Sequence, residues 1–137
     1  MTTENNTSST IKSTVIYIED NPANLRLVSQ LLSNYRKNIN LLTAPEPSLG
    51  LDLIDLHLPD LILLDINLPG MDGYEVFETL KQRPAVCNIP VIAISANAMK
   101  KDVDKGMAAG FDDYITKPID IKVLLNAVDL VLQKEEH

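Results

Sequence analysis

The chain of 137 residues contains one cysteine, Cys87. A lone thiol cannot close an intramolecular disulfide, which excludes a disulfide scaffold and predicts a reducing, cytoplasmic location. Histidine is nearly absent too: His57 and His137 stand far apart, so no Cys/His metal pattern exists. Basic residues are outnumbered, 12 Lys and Arg against 19 Asp and Glu, for a net charge of −7. Nucleic-acid binding needs a basic patch, so no nucleic-acid partner is expected. No apolar run approaches the roughly 18 residues of a spanning helix, and no leader pattern is expected, which leaves no membrane partner. Internal repeats are missing as well. What remains fits one globular domain: hydrophobic residues make up 45% of the chain.

The most informative stretch is Leu61-Ile62-Leu63-Leu64-Asp65-Ile66-Asn67-Leu68-Pro69-Gly70. Four aliphatic residues run straight into an aspartate and then a Pro-Gly turn signal. A short, unbroken apolar run of this kind predicts a strand buried on both faces. Asp65 is thereby placed at the rim of a sheet, where ligands bind in open parallel α/β folds.

The remaining pattern supplies further strands and helices in alternation. Residues 1–13, rich in Thr, Ser and Asn, predict a disordered tail. Thr14 to Ile18 is a first strand ending at Glu19-Asp20, and Asn21-Pro22 opens a helix with Leu27, Leu31, Val28 and Leu32 on one face. Ile39 to Thr43 predicts a weaker edge strand. A second helix begins near Pro47, with Leu49, Leu53 and Leu56 as its expected buried face. Asp60 to Asp65 is the third strand. Asp72 and Glu75 form a capping-box pattern for a third helix with Val76, Phe77 and Leu80 inward. Pro90 to Ile94 is a fourth strand ending in Ser95. Met99, Val103 and Met107 make a thin stripe on a fourth helix, expected to be core, with Gly110 as its C-cap. Asp113 to Thr116 is a short fifth strand followed by Lys117-Pro118. Ile121, Leu124, Leu125, Val128, Val131 and Leu132 give the last helix the best periodicity in the chain. The domain is expected to span 14–133, followed by a solvated tail over 134–137. Five strand–helix alternations predict a parallel sheet with helices on both faces, joined by right-handed crossovers.

In such a sheet Glu19-Asp20, Asp65, Ser95 and Lys117 all come to one rim. Three carboxylates at one spot repel unless a cation lies among them. All-oxygen donors, with few of them from protein, suggest Mg²⁺. A cation, a carboxylate nucleophile, a hydroxyl and an ammonium group together fit phosphoryl transfer, with Asp65 attacking phosphorus.

These residues resemble the receiver domains of two-component response regulators and hybrid histidine kinases. The resemblance rests on Glu19-Asp20-Asn21-Pro22-Ala23-Asn24, on Asp65 to Gly73, on Ser95-Ala96-Asn97 and on Thr116-Lys117-Pro118. It implies a flavodoxin-like strand order 2-1-3-4-5. By this resemblance Asp65 is the phosphoacceptor. Asp20 is a direct Mg²⁺ ligand, Glu19 acts through water, and Asn67 offers its backbone carbonyl. Ser95 stands where the family has a threonine or serine that bonds the phosphoryl group, and Lys117 pairs with that group. Pro118 is the expected cis proline and Tyr114 the switch aromatic. The implied donor is a histidine kinase or a histidine phosphotransfer protein. The chain would catalyse only its own phosphorylation and dephosphorylation. Output is expected through the fourth helix, fifth strand and fifth helix, to a second copy or an effector.

Two other functions compete. A haloacid-dehalogenase-type phosphatase also places a nucleophilic aspartate after an apolar strand, but it needs a second carboxylate where this chain has Asn67. A degenerate receiver acting only as a binding module would have lost Asp20, Asp65 or Lys117, and none is lost. Cys87 and His57 read as a loop residue and a helix-end residue without chemistry.

Overall fold

A computed structural model describes residues 12–135. Its strands are β1 (Ser13–Ile18), β2 (Ile39–Ala44), β3 (Leu61–Asp65), β4 (Val91–Ser95) and β5 (Asp113–Thr116). The helices are α1 (Pro22–Tyr35), α2 (Pro47–His57), α3 (Gly73–Lys81), α4 (Lys100–Ala109) and α5 (Ile121–Glu135). The five strands form one sheet in the order β2-β1-β3-β4-β5. Every neighbouring pair is parallel, with Ile18 opposite Leu64, Asp65 opposite Ile94 and Ser95 opposite Thr116. The expected flavodoxin-like α/β order is therefore the observed one. β1 begins one residue ahead of the expected domain start, and α5 runs two residues past its expected end. Most of the expected tails, residues 1–11 and 136–137, lie outside the described residues.

Side chains alternate across each strand, which sorts the core into two layers. Ile16, Ile18, Ile62, Leu64 and Ala93 pack with Leu51 and Ile54 of α2 and with Val76, Phe77 and Leu80 of α3. Val15, Tyr17, Leu61, Leu63, Ile92 and Ile94 pack with Val28, Leu31 and Leu32 of α1 and with Leu124 and Val128 of α5. β3 and β4 are buried along their whole length, as an uninterrupted apolar run requires.

Local caps end up where the sequence places them. The Asn21 side chain accepts from the amides of Ala23 and Asn24 and caps α1. Asp72 and Glu75 form a complete capping box on α3. Gly110 closes α4 with a positive φ of 113°.

Three apolar faces differ from the expectation. In α2 the buried residues are Pro47, Gly50, Leu51 and Ile54, whereas Leu49 and Leu56 are 41% and 75% exposed. At 3.6 residues per turn these two sets lie on opposite sides of the helix. Leucines occur on both sides, so periodicity alone could not choose. Gly50 decides it, because a Cβ there would run into the Ile18 side chain and only a glycine side lets the helix settle on the sheet. In α4 the Met99/Val103/Met107 stripe is not core: Met99 is 64% and Met107 45% exposed, and Gly106 is the buried residue of that helix. In α5 Ile121 is exposed and Ala127 joins the buried face.

The α2 assignment has a direct check in denaturant unfolding. Ile54→Ala should cost about 2–5 kcal/mol, while Leu56→Ala should stay within about 0.5 kcal/mol of the parent. Equal losses would mean that the buried face has been misplaced.

Candidate functional site

Parallel strands all end on one edge, so β1, β3, β4 and β5 bring Glu19, Asp65, Ser95 and Lys117 together there. Among the described residues Glu19, Asp65 and Ser95 are the buried polar side chains, each at most 1% exposed. Burying two carboxylates is costly unless each is hydrogen-bonded and paired, and both conditions are met. Lys117 Nζ lies 3.1 Å from Glu19 Oε1 and donates to Asp65 Oδ2 at 3.2 Å. The Asn67 amide donates to Asp65 Oδ1 at 2.9 Å. Glu19 Oε2 accepts from the Asn21 amide, and its Oε1 also accepts from Tyr17 Oη at 2.8 Å and Asn24 Nδ2 at 3.3 Å.

Asp20 is exposed beside this pair. Carboxylate oxygens of Glu19, Asp20 and Asp65 lie within 4.8 Å of one another. The donors are all oxygen, which suits a hard divalent cation and not a thiolate- or imidazole-seeking one. Lys117 feels opposing influences. Burial lowers its pKa, while the hydrogen bond to Glu19, the charges of Asp65 and Glu19 and the bond to Asp65 raise it, and the net direction is upward. Burial, followed by the Glu19 charge and hydrogen bond, pushes the Tyr17 phenol far up. Tyr17 therefore stays protonated as a donor throughout the neutral range.

A second chain of bonds leads away from Asp65. Ser95 Oγ donates to Asn67 Oδ1 at 3.2 Å and accepts from the Asn97 amide at 3.0 Å. The Asn97 carbonyl accepts from Tyr114 Oη at 2.9 Å. The Tyr114 ring lies against Gly106 of α4, where a Cβ would fall 2.5 Å from Tyr114 Cδ2. The loop after Asp65 is held tightly as well. A Cβ on Gly73 would sit 2.5 Å from Ile66 Cα, so this contact with backbone requires glycine. The Lys117–Pro118 peptide is cis.

Every residue singled out from the sequence thus lies at this rim or, for Tyr114, one hydrogen bond from its loop. The structure adds two hydrogen-bond partners of Glu19 that sequence reasoning did not assign, Tyr17 and Asn24. The signal was present in both cases. Tyr17 is the one polar-tipped side chain in the apolar part of β1 and precedes Glu19 by two, a spacing that shares a strand face. Asn24 is one turn into α1 and so returns toward its start.

A doubly wound parallel sheet with buried carboxylates, an exposed third carboxylate and a lysine at its switch edge defines a phosphoryl-handling α/β module. The chain belongs to the response regulator receiver domain family, whose pattern matches residues 15–129. It is 38% identical over 114 residues to the signal transduction histidine-protein kinase BarA of Escherichia coli K12, covering 82% of this chain and 12% of that protein. It is 36% identical over 114 residues to the response regulator PleD of Caulobacter vibrioides, covering 83% of this chain and 25% of that one. The chain therefore spans between 12% and 50% of the length of curated relatives it matches. Among solved structures, the signal receiver domain of a histidine kinase from Syntrophus aciditrophicus superposes with a TM-score of 0.78 at 29% identity, covering 89% of this chain and 91% of that one. This is a receiver domain of two-component signalling, and nothing supports the haloacid-dehalogenase alternative. No helix among the described residues is long and apolar enough to cross a membrane.

Proposed function

We propose that this receiver accepts a phosphoryl group on Asp65 in a Mg²⁺-dependent reaction, from a histidine kinase or a histidine phosphotransfer protein. The observation that carries this reading is the pair of buried carboxylates clamped by Lys117 next to the open carboxylate of Asp20. An Asp65 carboxylate oxygen attacks phosphorus, the phosphorus–nitrogen bond of the donor breaks, and the imidazole leaves with that electron pair. Mg²⁺, when bound, supplies positive charge for the phosphoryl oxygens. Asp20 and Asp65 would hold it directly with the Asn67 carbonyl, and Glu19, whose Oε1 is already engaged by three donors, would act through water. The Asn67 amide orients Asp65, and Lys117 neutralises the transferred group.

Ser95 then exchanges its bond to Asn67 for one to a phosphoryl oxygen. That movement loosens the link through Asn97 to Tyr114, and the surface of α4, β5 and α5 carries the change to a second copy or an effector. The chain catalyses only its own phosphorylation and dephosphorylation, and it does so in the cytoplasm.

Incubation with acetyl phosphate and Mg²⁺ should add the mass of one phosphoryl group, and chelation by EDTA should prevent it. Mg²⁺ alone should raise Tm, because it binds the folded state, and Asp20→Ala should remove most of that rise. Equal Mg²⁺ stabilisation in Asp20→Ala would count against the cation site.

A further inference from the structure

Glu19 is fully buried, and its Oε1 collects three donors: Lys117 Nζ, Tyr17 Oη and Asn24 Nδ2. Among the described residues, Oε2 has the Asn21 amide alone, at 3.2 Å. This loading is asymmetric, and it bears on what Lys117 can do. Lys117 bridges Glu19 and Asp65 in this structure, so it must loosen its hold on Glu19 to follow a group added to Asp65. A buried carboxylate that loses its cation is strongly destabilised unless other donors remain. Tyr17 supplies such a donor, from a ring with no exposure at all and a hydroxyl whose described partner is Glu19. The ring is packed among Val15, Leu63 and Ile94, so the hydroxyl is held in place and cannot follow Lys117. Asn24 reaches the same oxygen from the first turn of α1, itself fixed by the Asn21 cap.

We infer that Tyr17, assisted by Asn24, is a positioning residue that keeps Glu19 Oε1 satisfied so that Lys117 can transfer its charge from Glu19 to the phosphoryl group. The inference rests on Asp65 being the phosphoacceptor. Tyr17 touches neither the transferred group nor the reacting atoms; it acts through Glu19. Without the hydroxyl, Glu19 depends more heavily on Lys117, and the resting arrangement is favoured over the switched one.

The test uses beryllofluoride, which occupies an acceptor aspartate as a phosphoryl mimic, with Mg²⁺ saturating. Tyr17→Phe keeps the ring and removes the donor. It should bind beryllofluoride about tenfold to a hundredfold more weakly, the scale of one hydrogen bond to a charged group. Its affinity for Mg²⁺ alone, measured by calorimetry, should not fall. A packing defect would lower both affinities together, and that result would overturn the inference. Asn24→Ala, at a partly exposed position where folding is not at issue, should shift beryllofluoride affinity in the same direction. In a Glu19→Gln background the effect of Tyr17→Phe should disappear, and its persistence would also overturn the inference. Unchanged beryllofluoride binding by Tyr17→Phe, with normal binding by the parent, would remove the Tyr17 function alone. Failure of the parent chain to bind beryllofluoride would remove the Asp65 reading and this inference with it.

Discussion

Asp65→Asn is expected to abolish phosphorylation outright. After incubation with acetyl phosphate and Mg²⁺, the parent chain should gain one phosphoryl mass and the variant none. The amide has nearly the shape of the carboxylate, and its oxygen can still accept from the Asn67 amide, the bond made at 2.9 Å in the parent. It lacks the anionic oxygen that attacks phosphorus. The fold should survive, because Lys117 keeps Glu19 as a partner and one of three mutually repelling carboxylates is gone. Loss of activity would therefore report chemistry and not unfolding, which circular dichroism on the same sample can verify. A full mass shift in Asp65→Asn would mean that another residue is the acceptor.

Lys117→Met should have the largest effect on stability at this edge. Glu19 and Asp65 are almost fully buried, and Lys117 is the one cation bonded to both among the described residues. Removing one partner of a buried pair while leaving the other costs about 3–5 kcal/mol. Mg²⁺ should restore part of that loss, since a cation among the same carboxylates replaces some of the missing charge. The pair also has a pH signature. The Lys117 pKa is raised above its usual 10.5. A raised folded-state pKa means that its stabilisation is complete below the unfolded value and is lost as pH rises through the folded one. The parent should therefore lose stability on the alkaline side of about pH 10.5, and Lys117→Met should lack that component. Tyr17, also shifted upward, adds a decline of the same sign that the variant retains. Urea midpoints across this range, with and without Mg²⁺, would measure both effects. A variant as stable as the parent in Mg²⁺-free buffer would show that the two carboxylates do not depend on Lys117.

The receiver assignment also explains why the edge is built of costly groups. Glu19, Asp65 and Ser95 would be poor choices for stability alone, since apolar residues could fill the same space at less electrostatic cost. Under the proposed function, their place in a tightly hydrogen-bonded cluster makes sense, because a cation and a phosphoryl group would arrive there in turn. Hydrogen bonds from Ser95 through Asn97 to Tyr114 join this edge to the side of α4, the helix with the least buried side.

What the sequence determined by itself is local or one-dimensional. The apolar runs of β3 and β4, the Asn21, Asp72–Glu75 and Gly110 caps and the strand–helix alternation all depend on neighbours within a few residues, so they are legible in the chain. Parallel strands then follow from that alternation, and with them the meeting of Glu19, Asp20, Asp65, Ser95 and Lys117 at one edge, while the order 2-1-3-4-5 came from the family resemblance. The tertiary structure decided the rest. Both sides of α2 carry leucine, and only the approach of Gly50 to Ile18 selected one; the methionines of α4 stayed outside because Gly106, not a large side chain, meets Tyr114. The bond from Lys117 to Glu19 Oε1 and the bond from Ser95 to Asn67 join positions far apart in the chain. Such contacts depend on how rotamers and layers pack against each other, and no periodicity along the chain encodes that.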